Sequence, residues 1–302
     1  MKRLVKVVRL LLAALVLGWV LWRLQADWTG LHLPEEGLVW GYLGLAALSG
    51  AASLILLAAL CAGGVRAAGL YRTEHRLAYL RMWLQSLFWR YVPGKVLLVA
   101  ERIRLGQRLD IPRATSVVLV VWETLLLLAG ATVAGMLALP LVAPVSPAAL
   151  GALGLALAGM LLGFPWVLRQ AVGRFDWLAK RVPHLALDVA PSAQAALVGG
   201  YLGAWVLLAA SFVFTCRFMG AEAGLEAGLW FVGAYVAGVV VGVTPAGLGV
   251  REGVLAAGLA ETLGAPEALA FAVVNRLVMT GVELVVIAGA TLVPMPEEEM
   301  AE

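Results

Sequence analysis

Long apolar segments recur along this chain, and they limit what it can fold into more than any other feature does. A helix of about 20 apolar residues is long enough to cross the roughly 30 Å hydrocarbon core of a bilayer. Charged residues make up only 14% of the chain and hydrophobic residues 62%, whereas soluble domains have about 25% charged residues. We therefore expect an all-α, polytopic membrane protein, because backbone in lipid must satisfy its own hydrogen bonds.

The apolar segments predict about six full transmembrane helices within one integral membrane domain covering 1–302. The first resembles a signal peptide in its basic start, but its apolar run is too long and no small-residue cleavage site follows, so we interpret it as a retained helix. The expected spans are about 5–24, 37–62, 114–139, 148–168, 194–219 and 267–293.

Basic residues orient these spans. Lys2, Arg3, Lys6 and Arg9 place the N-terminus in the cytoplasm, and the many arginines between residues 66 and 113 also require the inner side. We expect a multi-pass protein of the cell membrane with a cytoplasmic N-terminus. The formal net charge of +3 follows from these flanking residues, so no nucleic-acid partner is expected.

Two apolar segments are broken by proline and glycine. "MWLQSLFWRYVPGKVLLVA", Met82–Ala100, has basic residues at both ends and is predicted to enter the membrane from the cytoplasm and return. "VVVGVTPAGLGVREGVL", Val239–Leu255, has acidic residues on both sides and is predicted to enter and return from outside. The alternative is that about 228–243 crosses fully, which would place the C-terminus outside.

The two broken segments begin similar stretches of sequence. Each break is followed by charges, a short helix, a second proline and a span that carries a charge about ten residues in, Glu123 in one and Arg276 in the other. Since the two stretches enter from opposite sides, they form an inverted repeat with two re-entrant hairpins, a pattern that points to a transporter binding site. The repeat halves are approximately 82–139 and 228–293.

The second break offers groups that suit an anion. A helix starting at Gly247–Gly249 would direct free N–H groups into the membrane, and Arg251 would add a donor fork for phosphate. Glu252 would orient that guanidinium or exchange it for a lipid phosphate. The candidate substrate-binding residues are Pro93, Gly94, Lys95, Arg102, Glu123, Pro245, Gly247, Gly249, Arg251, Glu252, Asn275, Arg276 and Glu283.

Several of these residues have a second interpretation. Glu123, Arg276 and Glu283 are also consistent with a structural ion pair between the two equivalent spans, because a charge at the bilayer centre needs a partner. Coupling of transport to protons through Glu123, Glu252 or Glu283 is a further hypothesis.

No catalytic machinery or cofactor is expected. No nucleophile, base and orienting residue can be assembled from the sequence, and it contains no Walker motif. The three histidines His32, His75 and His184 are far apart and lack the spacing of metal ligands.

The second break carries a family signature. The chain resembles the integral membrane region of lysylphosphatidylglycerol synthases and their stand-alone relatives from about Trp83 to Gly289. The family's usual Pro-Gly-Gly-x-Gly-x-x-Glu is present as Pro245–Glu252, with Ala246 in place of a glycine, and Arg276 resembles the arginine of the family's last span.

The first signature of that family is only partly present. Its usual form, Pro-x-Arg-x-Gly-Glu, begins here with Pro93, but Leu97 and Leu98 replace the Gly-Glu part, so this half-site departs from the family's pattern. The Tyr-Val-Pro-Gly-Lys form resembles the motif of relatives linked to polyprenyl-linked or glycosylated lipids more than that of the aminoacyl-lipid branch. The resemblance implies the lipid-moving region without an aminoacyltransferase domain after Pro294.

These observations predict a flippase-like transporter, not an enzyme, that moves an anionic phospholipid or a polyprenyl-linked or other lipid-linked saccharide. Its expected partners are membrane lipids. The alternative is a non-transporting membrane subunit that anchors or presents lipid to a glycosyltransferase or another lipid-modifying enzyme.

Overall fold

The structure is a computed structural model that describes most of the apolar core of the chain. The expected span at 5–24 and the candidate residues Pro93, Gly94, Lys95 and Pro245 lie outside the described residues. The described residues are 39–91, 96–142, 144–159, 161, 166–167, 170, 174, 190–241, 247 and 249–296.

Every long regular element in the described ranges is an α-helix, as the sequence predicts. The helices are α1 (Trp40–Ala67), α2 (Arg76–Leu87), α3 (Val96–Gln107), α4 (Arg113–Val142), α5 (Pro147–Ala158), α6 (Pro191–Phe218), α7 (Leu225–Val241), α8 (Val250–Gly258), α9 (Ala260–Leu263) and α10 (Ala265–Ala290). Short 3₁₀ turns at Thr73–His75 and Phe88–Tyr91 adjoin α2.

Among the described residues, four helices are long and apolar enough to cross a membrane, namely α1, α4, α6 and α10. They correspond to four of the expected spans. Helix α5 covers the first part of the span expected at 148–168 and begins at a Ser146 cap, whose hydroxyl accepts a hydrogen bond from the Ala149 amide at 3.2 Å. Helix α7 has 17 residues, at the short end of the range of about 17–25 residues for a span.

The structure divides into two compact units, and the long helices α1, α6 and α10 contribute residues to both. The first unit takes its described residues from Met1–Ala51, Phe88–Val96 and Leu208–Leu284. The second unit takes them from Ala52–Leu87, Leu97–Leu207 and Val285–Glu302.

Small residues let the helices of the second unit approach closely. The Ser53 hydroxyl of α1 donates a hydrogen bond to the Ala204 carbonyl of α6 at 3.0 Å. Gly130 of α4 lies so close to α6 that a Cβ atom there would be 2.9 Å from the Tyr201 Cβ and 3.0 Å from backbone atoms. Such contacts replace the hydrophobic effect, which cannot drive association of helices within lipid.

The first unit is joined by similar contacts between α1, α6 and α10. The Ser211 hydroxyl of α6 donates to the Ala46 carbonyl of α1 at 2.9 Å. The Asn275 amide of α10 donates to the Thr215 hydroxyl of α6 at 2.9 Å. Buried hydroxyl and amide groups therefore connect these three helices through interhelical hydrogen bonds.

The close approach at Gly130 gives a test of this packing. Gly130→Ala should destabilise the protein by about 1–3 kcal/mol, because the new methyl group would overpack a contact with backbone. Gly135→Ala on the same helix is the matched control, since a Cβ atom there would meet only the Leu139 side chain at 3.6 Å. The measurement is the midpoint of thermal unfolding in detergent. Equal midpoints for the two variants would contradict the packing.

Candidate functional site

The second broken segment of the sequence forms a helical hairpin inside the first unit. Helices α7 and α8 pack against each other, and the backbone of Gly238 in α7 lies next to Gly247, where a Cβ atom on Gly238 would be 3.3 Å from the Gly247 Cα. Gly247 has a φ of 74° and Gly249 a φ of 81°, values that favour glycine. Two glycines with left-handed backbone thus end the connection and start α8.

Arg251 occupies the space between the two helices of this hairpin. A Cβ atom on either Gly238 or Gly247 would lie 2.9 Å from the Arg251 Nε. The guanidinium carbon lies 3.5 Å from the centroid of the Tyr235 ring, which is a cation–π contact. None of the described residues accepts a hydrogen bond from Nε, which is buried. Arg251 is thus held by glycine backbone and an aromatic face.

Glu252 points to a different partner from the one expected. One carboxylate oxygen accepts a hydrogen bond from the Gly249 amide at 2.8 Å, which caps α8. The other oxygen lies 3.2 Å from the Arg276 Nη1 of α10. The expectation that Glu252 orients Arg251 is therefore wrong, because its two oxygens are engaged by the helix start and by Arg276.

The expectation that the start of α8 presents free N–H groups also needs correction. The Gly249 amide is already occupied by the Glu252 carboxylate. An anionic side chain of the protein itself thus lies where a helix N-terminus would attract an anionic ligand.

A third arginine completes the polar cluster of the first unit. The Arg90 Nη1 lies 2.6 Å from the Glu283 Oε1, and only 3% of the Glu283 side chain is exposed. Tyr235 interacts electrostatically with Arg90 and Glu283 as well as with Arg251. Arg251 in turn lies close enough to Arg90 and Arg276 for the like charges to repel each other. We call these residues the arginine cluster: Arg90, Tyr235, Arg251, Glu252, Arg276 and Glu283.

The arginine cluster carries an excess of positive charge. It contains three guanidinium groups and two carboxylates among the described residues. Arg90 pairs with Glu283 and Arg276 with Glu252, whereas no described carboxylate forms an ion pair with Arg251, whose guanidinium lies over the uncharged ring of Tyr235. The cluster can therefore accept one further negative charge.

Asn275 lies beside the cluster in sequence but serves another contact. Its amide is buried, with 3% of the residue exposed, and donates to the hydroxyls of Thr215 at 2.9 Å and Ser211 at 3.5 Å. These bonds join α10 to α6, which favours a packing role for this candidate residue.

The segment predicted to be the first repeat half, 82–139, contains an ion pair within the second unit. The Arg102 Nη1 of α3 donates to the two Glu123 oxygens of α4 at 2.9 and 3.1 Å. Trp83 donates to Glu123 at 3.2 Å, and Arg102 also donates to the hydroxyl of Ser86 and the thiol of Cys61, each at 3.2 Å. The charges of Arg102 and Glu123 are thus matched by groups of the same unit.

The two segments that the sequence predicts to be repeat halves contain the same kind of pair with the charges exchanged. In the first half the short helix α3 carries Arg102 and the span carries Glu123. In the second half the short helix α8 carries Glu252 and the span carries Arg276. The residues considered for an ion pair between the two spans, Glu123, Arg276 and Glu283, each have a partner outside that set, namely Arg102, Glu252 and Arg90.

Tyr235 and Gly238 were missed by the sequence reasoning. They lie three residues apart and so share one face of α7. An aromatic residue one turn before a glycine, near a proline-glycine break, was the available signal, but it is common in apolar helices.

A comparison of the sequence with protein-family models gives a match that covers most of the chain. Residues 6–288 match the model described as the lysylphosphatidylglycerol synthase TM region. The chain belongs to this family. A comparison with curated proteins and another with solved structures gave no match.

Membership of the lysylphosphatidylglycerol synthase TM family confirms the resemblance seen in the sequence and establishes a multi-pass integral membrane protein. The match begins before the described residues and extends into the last turn of α10. The Arg102–Glu123 and Glu252–Arg276 pairs therefore both lie within the family's region.

The Arg102–Glu123 pair can be tested as a structural element. Glu123→Gln should destabilise the protein by about 3–5 kcal/mol, because it leaves Arg102 buried without its counter-charge. Asp110→Asn is the control, since its pair with Arg72 at 2.8 Å is exposed and should contribute less than about 1 kcal/mol. Unfolding midpoints in detergent measure both. A Glu123→Gln midpoint no lower than that of Asp110→Asn would contradict a structural role.

Proposed function

We propose that this protein is a flippase-like transporter, without enzymatic activity of its own, that binds the headgroup of an anionic lipid at the arginine cluster. The observation that carries the proposal is the guanidinium of Arg251, which none of the described carboxylates neutralises. The Nε of this guanidinium is buried, and a charge within an apolar protein is costly, so an anionic ligand that pairs with Arg251 would offset that cost.

The chemistry of the cluster favours a phosphate group. Guanidinium groups present donors in a planar fork that matches phosphate oxygens. Arg276 and the Gly249 amide already hold the carboxylate oxygens of Glu252, so they are placed to hold oxygens of a phosphate. We infer that Glu252 occupies these donors in the resting protein and competes with the headgroup for them.

Two re-entrant hairpins are the architecture that we propose around this site. In the second half, α7 has 17 residues, at the short end of the range of about 17–25 for a span, and α8 packs back on it, which supports entry and return from one side. The matching order of short helix and charged span in the two halves supports an inverted repeat. The cytoplasmic N-terminus remains part of this proposal.

Proton coupling is best placed at Glu252 in this scheme. Glu123 is held by Arg102 and Trp83 in the second unit, whereas Glu252 shares its donors with the proposed ligand. Protonation of Glu252 would release both the Gly249 amide and Arg276 to the headgroup.

A transport assay tests the proposal. The full chain is reconstituted in vesicles with trace fluorescent phosphatidylglycerol or a fluorescent polyprenyl phosphoglycoside, and lipid movement is followed by chemical quenching of the outer leaflet. Arg251→Gln and Arg276→Gln should each lower the rate by about tenfold or more, since each removes a charged hydrogen-bond donor. Arg217→Gln is the control, because Arg217, in the last turn of α6, is exposed and donates to the Ala223 carbonyl in the loop that follows.

The outcomes separate the candidate functions. Loss of movement in both cluster variants but not in Arg217→Gln supports transport through the cluster. Binding of a probe by the native chain without any movement would overturn transport in favour of the subunit that presents lipid to a glycosyltransferase or another lipid-modifying enzyme. Equal rates in all three variants would contradict a role of the cluster.

A further inference from the structure

Tyr235 contacts the guanidinium of Arg251, the arginine of the cluster that forms no ion pair with a described carboxylate. The guanidinium carbon of Arg251 is 3.5 Å from the centre of the Tyr235 ring, well inside the roughly 6 Å range of a cation–π contact. The attraction is stronger where water is excluded, and the Arg251 Nε is buried. The ring therefore stabilises the position of this charge.

The two glycines of the hairpin restrict the same side chain from the other side. A Cβ atom on Gly238 would be 2.9 Å from Nε and 3.0 Å from Cγ of Arg251. Gly238 and Tyr235 lie about one helical turn apart, so α7 presents the glycine gap and the ring together. The stem of Arg251 is thus fixed by backbone and its head by the ring.

The kind of partner matters as much as its position. A carboxylate in place of the ring would hold Arg251 equally well but would neutralise it, as Glu252 does for Arg276 and Glu283 does for Arg90. The aromatic ring has no formal charge, so Arg251 is fixed in place while its full positive charge stays available to a ligand.

We propose that Tyr235 is a positioning residue that orients Arg251 and thereby gives the site a preference for phosphodiester lipids with one net negative charge. The proposal rests on headgroup binding at the arginine cluster. A zwitterionic lipid brings its own cation beside its phosphate, which offsets the attraction to Arg251. A lipid such as phosphatidylglycerol has one phosphodiester charge, which matches the single excess charge of the cluster.

Lipid binding to the purified full chain tests Tyr235 separately from transport. Binding of fluorescent phosphatidylglycerol and fluorescent phosphatidylethanolamine is measured in neutral detergent. Tyr235→Leu should raise the half-saturating concentration of phosphatidylglycerol about three- to tenfold and reduce the preference over phosphatidylethanolamine. Tyr235→Phe keeps the aromatic face and should recover most of both. Unchanged affinity and preference in Tyr235→Leu would overturn the proposal.

A double-mutant cycle separates positioning from general packing. If Tyr235 acts through Arg251, then Tyr235→Leu should add little to Arg251→Gln, and the two effects should be strongly non-additive. Additive effects would overturn the proposal. Tyr42→Leu is the matched control, because the Tyr42 ring faces a different guanidinium, that of Arg217, at 6.0 Å, and it should leave the lipid preference unchanged.

Measuring transport on the same variants makes the two proposals separable. A native chain that binds phosphatidylglycerol with the expected Tyr235 dependence but moves none contradicts transport and supports the positioning role. A native chain that moves phosphatidylglycerol at a rate insensitive to Tyr235→Leu, with unchanged binding, supports transport and overturns the positioning role.

Discussion

The cost of a charge in an apolar environment governs this structure. An arginine or glutamate within a membrane helix requires a partner, and the protein meets this need locally in each unit. Arg102 and Glu123 pair in the second unit, and Arg276 pairs with Glu252 in the first. The helical hairpin of α7 and α8, with Gly238, Gly247 and Gly249, positions Glu252 for its pair with Arg276. Where a guanidinium has a ring instead of a carboxylate, the charge is held but not cancelled.

This difference distinguishes the ion pair of the second unit from the arginine cluster of the first. The Arg102–Glu123 pair is surrounded by Trp83, Ser86 and Cys61, which satisfy it further, so it acts as a fixed element of the second unit. The arginine cluster has one guanidinium in excess, and its Glu252 occupies donors that suit an oxyanion. One ion pair is thus satisfied within its unit, and the other belongs to the cluster at which we propose that a headgroup binds.

The sequence predicted the helices and the charged residues better than it predicted their pairing. Long apolar segments predict α1, α4, α6 and α10 because membrane thickness sets their length, and the glycines at 247 and 249 mark the hairpin. Pairing depends on which helix faces adjoin in three dimensions, so Glu252 was assigned to its neighbour Arg251 and not to Arg276. Tyr235 was missed because an aromatic residue in an apolar helix has many ordinary packing roles.

We propose that the charge of Arg251 is retained for an anionic headgroup. An experimental structure of the full chain in nanodiscs containing phosphatidylglycerol tests it most directly, through the position of the lipid phosphate in the density. We expect phosphate oxygens to lie about 2.7–3.2 Å from the nitrogen atoms of the Arg251 guanidinium, which is hydrogen-bond distance. The guanidinium should still lie over the Tyr235 ring. A cluster occupied by acyl chains, or Arg251 paired with a carboxylate of the protein in the presence of this lipid, would contradict it.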